Sequence, residues 1–254
     1  MKKTFAIISI ILAVCLVLGG CAGIDRISSG AYTEGERTVT DEIYKIDIDW
    51  AQGGVMIRSG KQAEGITVRE SDTDGNKLAT RIIGSVLYIR NAKPGKEAGE
   101  KTLIVIVPSN YNYREIEIRT DSANAALRNL KVSRADIETV SGNISVIGCD
   151  IDDETELESE TGVVTAVGNI ADYDIKTKSG EINLTPGTIP EDLDAETEDG
   201  LIVINLPADT PSGSFRAKTD GIVTDKLTNK DKGKKYVFES DTGNIFILEK
   251  LSNK

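Results

Sequence analysis

Ile137-Glu-Thr-Val-Ser-Gly-Asn-Ile144 returns as Leu157-Glu-Ser-Glu-Thr-Gly-Val-Val164, as Ile175-Lys-Thr-Lys-Ser-Gly-Glu-Ile182 and as Ala195-Glu-Thr-Glu-Asp-Gly-Leu-Ile202. One earlier copy, Ile118-Arg-Thr-Asp-Ser-Ala-Asn-Ala125, and two later ones beginning at Phe215 and Phe238 complete the series. The seven starts are 19, 20, 18, 20, 20 and 23 residues apart. A period near 20 marks a solenoid, in which each repeat stacks on its neighbour because it cannot bury an apolar face alone.

Within each repeat the apolar first position and the Thr or Ser two residues later alternate as a strand does. A Gly column follows at Gly142, Gly162, Gly180, Gly200 and Gly243, with Ala123 and Asp220 as departures. After it the apolar positions resume at Ile144, Val164, Ile182, Ile202, Ile222 and Ile245, and the inward parity changes. The strand must therefore turn a corner at the Ser-Gly pair, where glycine suits a positive φ. Between the inward positions a charged column reads Glu158, Lys176, Glu196, Arg216, Glu239. Its alternating sign suits a parallel ladder with equivalent positions side by side. The expectation is an all-β, single-stranded parallel β-solenoid of about seven turns over residues 116–254.

Residues 38–115 form a less regular N-terminal β region. Ile48, Trp50, Gly53, Val55 and Ile57 repeat the same spacing, so the stack is expected to begin there. Ile66 to Glu70, Leu78 to Ile83, Val86 to Arg90 and Leu103 to Val107 read as strands, and Asn91 to Lys101 as a loop.

The N-terminus carries a different message. Lys2 and Lys3 precede an apolar run from Phe5 to Leu18, the charged and hydrophobic regions of an export signal. At about 15 residues it is too short for a permanent span. Residues 1–20 are read as a signal peptide and 21–37, rich in Gly, Ser and Thr, as a flexible tether. Leu18-Gly-Gly-Cys21 resembles the lipobox of bacterial lipoproteins, which implies lipidation of Cys21 and an extracytoplasmic protein held on its membrane. Two or more acyl chains make such an anchor stable.

Composition narrows the chemistry. The 254 residues include no His, which excludes His-based triads, His-ligated zinc or haem and His-based pH switching. A net charge of −11 argues against nucleic acid and against adsorption to an anionic bilayer. Cys15 lies in the signal and Cys21 in the lipobox, so Cys149 has no disulfide partner and reads as a small buried residue. Asp72-Thr-Asp74-Gly-Asn76 resembles the opening of a calcium loop, but Ile83 stands where the bidentate Glu belongs, so a hairpin turn explains it better. Asp150, Asp152, Asp153, Glu154, Asp172, Asp174, Glu191, Asp192 and Asp194 are placed at turns between rungs, as a solvated acidic edge. No phosphate loop, dinucleotide fingerprint or CxxC pair is present.

Thr102-Leu-Ile-Val-Ile-Val-Pro108, then Ile116-Glu-Ile118 and the recurring Ser-Gly-x-Ile units, resemble the bacterial putative-adhesin family, a domain of unknown function. The resemblance runs from about residue 40 to the C-terminus. It implies an envelope β-helix, sometimes beside envelope-stress systems, with no established reaction and no transferable catalytic residue. The expected protein is a lipid-anchored, non-enzymatic binding, adhesion or envelope-sensing module, without cofactor or metal. Its expected partners are the membrane, through the lipid, and an envelope polysaccharide or a membrane protein. The alternatives are a carbohydrate-active β-helix enzyme, which needs two carboxylates across a cleft, and a structural accessory of a membrane stress-signalling system.

Overall fold

The computed structural model describes residues 32–61, 63–71, 78–91, 101–110, 113–208, 210–211, 215–227 and 236–249. The expected export signal, Cys21, the expected Asp72 to Asn76 turn and most of the expected Asn91 to Lys101 loop lie outside them. The described residues from Glu34 onward belong to one compact unit. They form strands and no helix. The first ten are β1 (Thr33–Glu34), β2 (Arg37–Val39), β3 (Lys45–Asp49), β4 (Gly54–Gly60), β5 (Ile66–Glu70), β6 (Leu78–Ile83), β7 (Val86–Asn91), β8 (Thr102–Pro108), β9 (Tyr113–Thr120) and β10 (Asn124–Arg128). The rest are β11 (Lys131–Thr139), β12 (Ile144–Ser159), β13 (Val164–Thr177), β14 (Ile182–Pro186), β15 (Asp192–Thr197), β16 (Ile202–Leu206), β17 (Phe215–Lys218), β18 (Val223–Asp225), β19 (Tyr236–Ser240) and β20 (Ile245–Glu249).

Two parallel ladders carry the repeats. Before the corner the spatial order is β7, β3, β9, β11, β12, β13, β15, β19, β17. After it the order is β8, β4, β10, β12, β13, β14, β16, β20, β18. β12 and β13 are long enough to serve both, their first halves following one corner and their second halves preceding the next. In register, Ile118, Ile137, Leu157, Ile175 and Ala195 stack in one column and Ala125, Ile144, Val164, Ile182 and Ile202 in another. All are buried in a single core, each large apolar side chain contributing about 1.5–3 kcal/mol. As the spacing predicts, Ile48 and Val55 join the same columns beneath Ile118 and Ala125.

The architecture departs from a uniform seven-turn helix in three ways. First, the sheet is mixed: β6 pairs antiparallel with β7, and β5 antiparallel with β8 and β2. Second, both ends leave chain order. β7 and β8 lie outside β3 and β4, and β19 and β20 sit between the fifth repeat and the sixth. Third, the sixth repeat has a different register. Ala217, not Phe215, stands in the Phe238 column, and Val223 and Asp225 face Ile245 and Ile247. The corner glycine there is Gly221 rather than Asp220, one residue closer to its strand.

That register explains the exchange at the end. Stacked in chain order, Asp225 would lie in the buried column between Ile204 and Ile247. Burying a carboxylate in an apolar column costs several kcal/mol. The exchange leaves Asp225 exposed and buries Tyr236, Phe238, Ile245 and Ile247 instead. Its cost is Glu196 beside Glu239, like charges worth roughly 0.2–1 kcal/mol. Burial wins. The alternating charge column therefore holds for Glu158, Lys176 and Glu196, then breaks at Glu239.

The corner glycines also need a different explanation. None of Gly142, Gly162, Gly180, Gly200 and Gly243 has a positive φ. Each instead lies on the corner below: a Cβ on Gly162 would stand 1.9 Å from the Gly142 carbonyl oxygen, and one on Gly243 1.8 Å from that of Gly200. Glycine is required for close approach between layers. Ala123 is tolerated because its own Cβ sits in the core, under Gly142. The Thr/Ser column completes the turn. The hydroxyls of Thr139, Ser159, Thr197 and Ser240 accept the amides of Gly142, Gly162, Gly200 and Gly243 at 2.8–2.9 Å, so buried donors and hydroxyls satisfy each other.

Candidate functional site

Parallel pairing in register turns any outward residue type that repeats into a continuous column. One position precedes the first apolar column of every repeat, and there the ladder aligns Asp47, Glu117, Asp136, Glu156, Asp174 and Asp194. Tyr88 and Val237 stand at the two ends. With layers roughly 4.8 Å apart, the six carboxylates span about 24 Å. This column was legible in the repeats one residue upstream of their apolar start. Reading the repeats only from that start onward passes over it.

Side-by-side carboxylates repel, and cations from the two flanking columns answer them. Arg90 Nη2 reaches Asp47 at 2.5 Å. Lys45 Nζ bridges Glu115 at 2.8 Å and Glu117 at 2.6 Å, and Arg119 also contacts Glu117. Arg134 holds Glu154 at 2.9 Å and Glu156 at 3.4 Å. Lys176 Nζ lies 2.9 Å from Asp174. Burial disfavours the Glu117 carboxylate, but the Lys45 hydrogen bond and the Arg119 charge outweigh it and hold its pKa below the usual range.

Asp136 and Asp194 have no ion pair among the described residues. Burial, then the neighbouring Glu156 and Glu117, push the Asp136 carboxyl up. Asp194 is pushed up to about 6, by burial first and then by Glu196 and Asp174. One of its oxygens is buried without a hydrogen bond. The face is therefore ordered and mostly neutralised, with Asp136 and Asp194 as its two carboxyl groups without an ion pair among the described residues.

The acidic residues expected at turns lie elsewhere. Asp150, Asp152, Asp153 and Glu154 are within β12, Asp172 and Asp174 within β13, and Asp192 and Asp194 within β15, with Glu191 just before it. The expected turns are bends within continuous strands, and the ladder shifts register there, between Ile147 and Cys149 and between Ile151 and Glu154. Asp150 accepts a hydrogen bond from Asn169 at 2.7 Å, and Asp172 accepts the Asp192 amide at 3.0 Å. Asp174 and Asp194 belong to the column. Among the described residues no group of three or more acidic or thiol side chains could hold a metal ion. Cys149 is fully buried in β12, and burial pushes its thiol up, which suits an inert packing residue.

Stacked parallel ladders with an outward charged column define an all-β scaffold. The chain belongs to the Toastrack DUF4097 family, whose model matches residues 43–253. A putative adhesin from Bacteroides fragilis NCTC 9343 shares the fold, with a TM-score of 0.52 and 14% identity over 87% of this chain and 98% of that one. A putative adhesin from Parabacteroides distasonis ATCC 8503 is more distant, at TM-score 0.41 and 14% identity over 85% of this chain and 98% of that one. A putative lipid binding protein from the same strain has TM-score 0.36 and 10% identity over 85% and 97% of the two chains. No curated protein matches the chain.

Proposed function

We propose that the protein is a lipid-anchored binding module of the bacterial cell envelope that works without catalysis, through contact along a solenoid-wound scaffold. The supporting observation is the charged column. Its carboxylates repeat layer by layer along one face instead of facing each other across a cleft; four of the six are tied to cations, Asp47 and Glu117 are buried, and Asp136, Glu156, Asp174 and Asp194 are the half-buried members that reach solvent. Such a face offers repeated, weak, similar contacts, which multiply into avidity for a repetitive partner such as an envelope polysaccharide or a membrane protein. The adhesin description of the Bacteroides fragilis protein fits this reading. Leu18-Gly-Gly-Cys21 supplies the attachment in the proposal, with residues 21–37 as the tether to the membrane.

Two experiments test it. Palmitate labelling should depend on Cys21 and disappear in Cys21→Ala. The soluble form, residues 22–254, should retain envelope polysaccharide or membrane protein in pull-downs without releasing new reducing ends or unsaturated sugars. Release of either product would replace the binding reading with an enzymatic one.

A further inference from the structure

The two ends of the stack are finished differently. At one end antiparallel strands close both ladders, β6 over β7 and β5 over β8, and β2 continues beyond β5. At the other end, among the described residues, β17 is paired with β19 alone and β18 with β20 alone. Apolar residues there remain in water. Ile222 is 64% exposed, and Val223 is 43% exposed although it lies in register with the fully buried Ile245.

Two cations of the alternating column lie between two acids, whereas Arg90, at the antiparallel end, has Asp49 on one side and Ala79 on the other. Arg119 lies in register between Asp49 and Glu138, and Lys176 between Glu158 and Glu196. Lys218 has Glu239 on one side and, among the described residues, no strand on the other. Two residues earlier on the same outward face is Arg216, and both cations reach Glu239, at 3.4 and 3.6 Å. Their side chains are 61% and 54% exposed. One carboxylate thus serves two cations whose outer side is open.

We propose that β17 accepts, by strand addition, an extended segment of another protein in which two carboxylate side chains flank an apolar one. The backbone edge supplies main-chain hydrogen bonds, and Arg216 and Lys218 select the acidic pair. Asp194-Ala195-Glu196 and Glu156-Leu157-Glu158 show the same pattern where this ladder continues. A second copy of the chain does not fit. Two β17 edges would set like charges opposite one another, and at the far end β2 carries no carboxylate and β1, which pairs with β6, is a two-residue strand with one, Glu34. The inference goes beyond the envelope-binding reading and does not rest on the anchor, so a negative palmitate result leaves it standing.

The test uses a fluorescein-labelled, end-blocked peptide with the sequence of residues 192–198, Asp-Leu-Asp-Ala-Glu-Thr-Glu, titrated with the full chain in detergent and followed by anisotropy. Saturable binding is expected, weakened at least tenfold in Arg216→Glu/Lys218→Glu. A peptide with Lys at its first, third and fifth positions should reverse that order, binding the variant and not the native chain, which also shows that the variant folds. Absence of saturable binding, equal binding of both peptides, or indifference to the double variant would overturn the proposal. So would a light-scattering mass showing that β17 is occupied in a dimer that the variant dissolves. Binding of phosphatidylglycerol vesicles in place of the peptide, lost in the same variant, would also overturn it.

Discussion

Gly162→Ala isolates the reason for the corner glycines. The added Cβ would stand 1.9 Å from the Gly142 carbonyl oxygen, 2.6 Å from its carbon and 2.7 Å from Ser159 Oγ. Contacts below 3.0 Å are essentially never tolerated, so the layers must separate by more than 1 Å at this corner. The Gly162 amide donates to Ser159 Oγ at 2.8 Å, and that hydroxyl donates to the Gly142 carbonyl at 3.2 Å; both bonds weaken as the layers part. Overpacking of this kind costs about 1–3 kcal/mol, and each lost net hydrogen bond about 0.5–1.5 kcal/mol. Reduced freedom of the unfolded chain returns only about 0.4–1 kcal/mol. The expected loss is about 2–4 kcal/mol, read from urea unfolding of residues 22–254. Gly84→Ala is the comparison, because Gly84 has open space but a φ of +58°. Its cost is conformational alone, about 1–2 kcal/mol. If Gly162→Ala unfolds within about 0.5 kcal/mol of the native chain, less than the smallest overpacking cost, close approach between layers is not what requires glycine here.

Thr197→Val keeps the shape of the corner but removes the acceptor of the Gly200 amide, 2.9 Å away, and the partner of Thr177 Oγ1 at 2.8 Å. It should cost about 1–3 kcal/mol and speed exchange of the Gly200 amide proton, measured by hydrogen-exchange NMR. Asp194 holds its proton more tightly folded than unfolded, so its contribution is fully present below pH 3.8 and is lost as pH rises through about 6. Asp194→Asn should therefore be more stable than the native chain at pH 7.5, and should lose the native decline between pH 4 and 6 that urea midpoints would record. Cys149, buried and with its thiol pushed up, should resist maleimide at pH 7.5 and react stoichiometrically only in denaturant; rapid labelling of the folded chain would contradict its place in the core.

The parallel stacking of repeats was legible because it depends on local alternation. Ile137, Leu157 and Ile175 face inward whatever the neighbouring strand is, and a period near 20 returns them to the same place. The outward column from Asp47 to Asp194 was written in the same repeats, since register carries any periodic residue into a line. Three features were decided by the tertiary structure. The corner glycines meet the carbonyl of the layer below, a contact between residues about 20 positions apart, or 43 for Gly243 and Gly200, that no local φ preference reveals. The sixth repeat slides by two residues before its corner, where Ala217 stands opposite Phe238, and by one after it, where Val223 stands opposite Ile245. Its place at the end of the stack follows from comparing two burials: Asp225 would enter the core in chain order, whereas Phe238 and Ile247 fill it in the observed order. Repetition in the chain specifies what each layer looks like; which layer lies on which depends on the energy of side chains that meet only after the layers have formed.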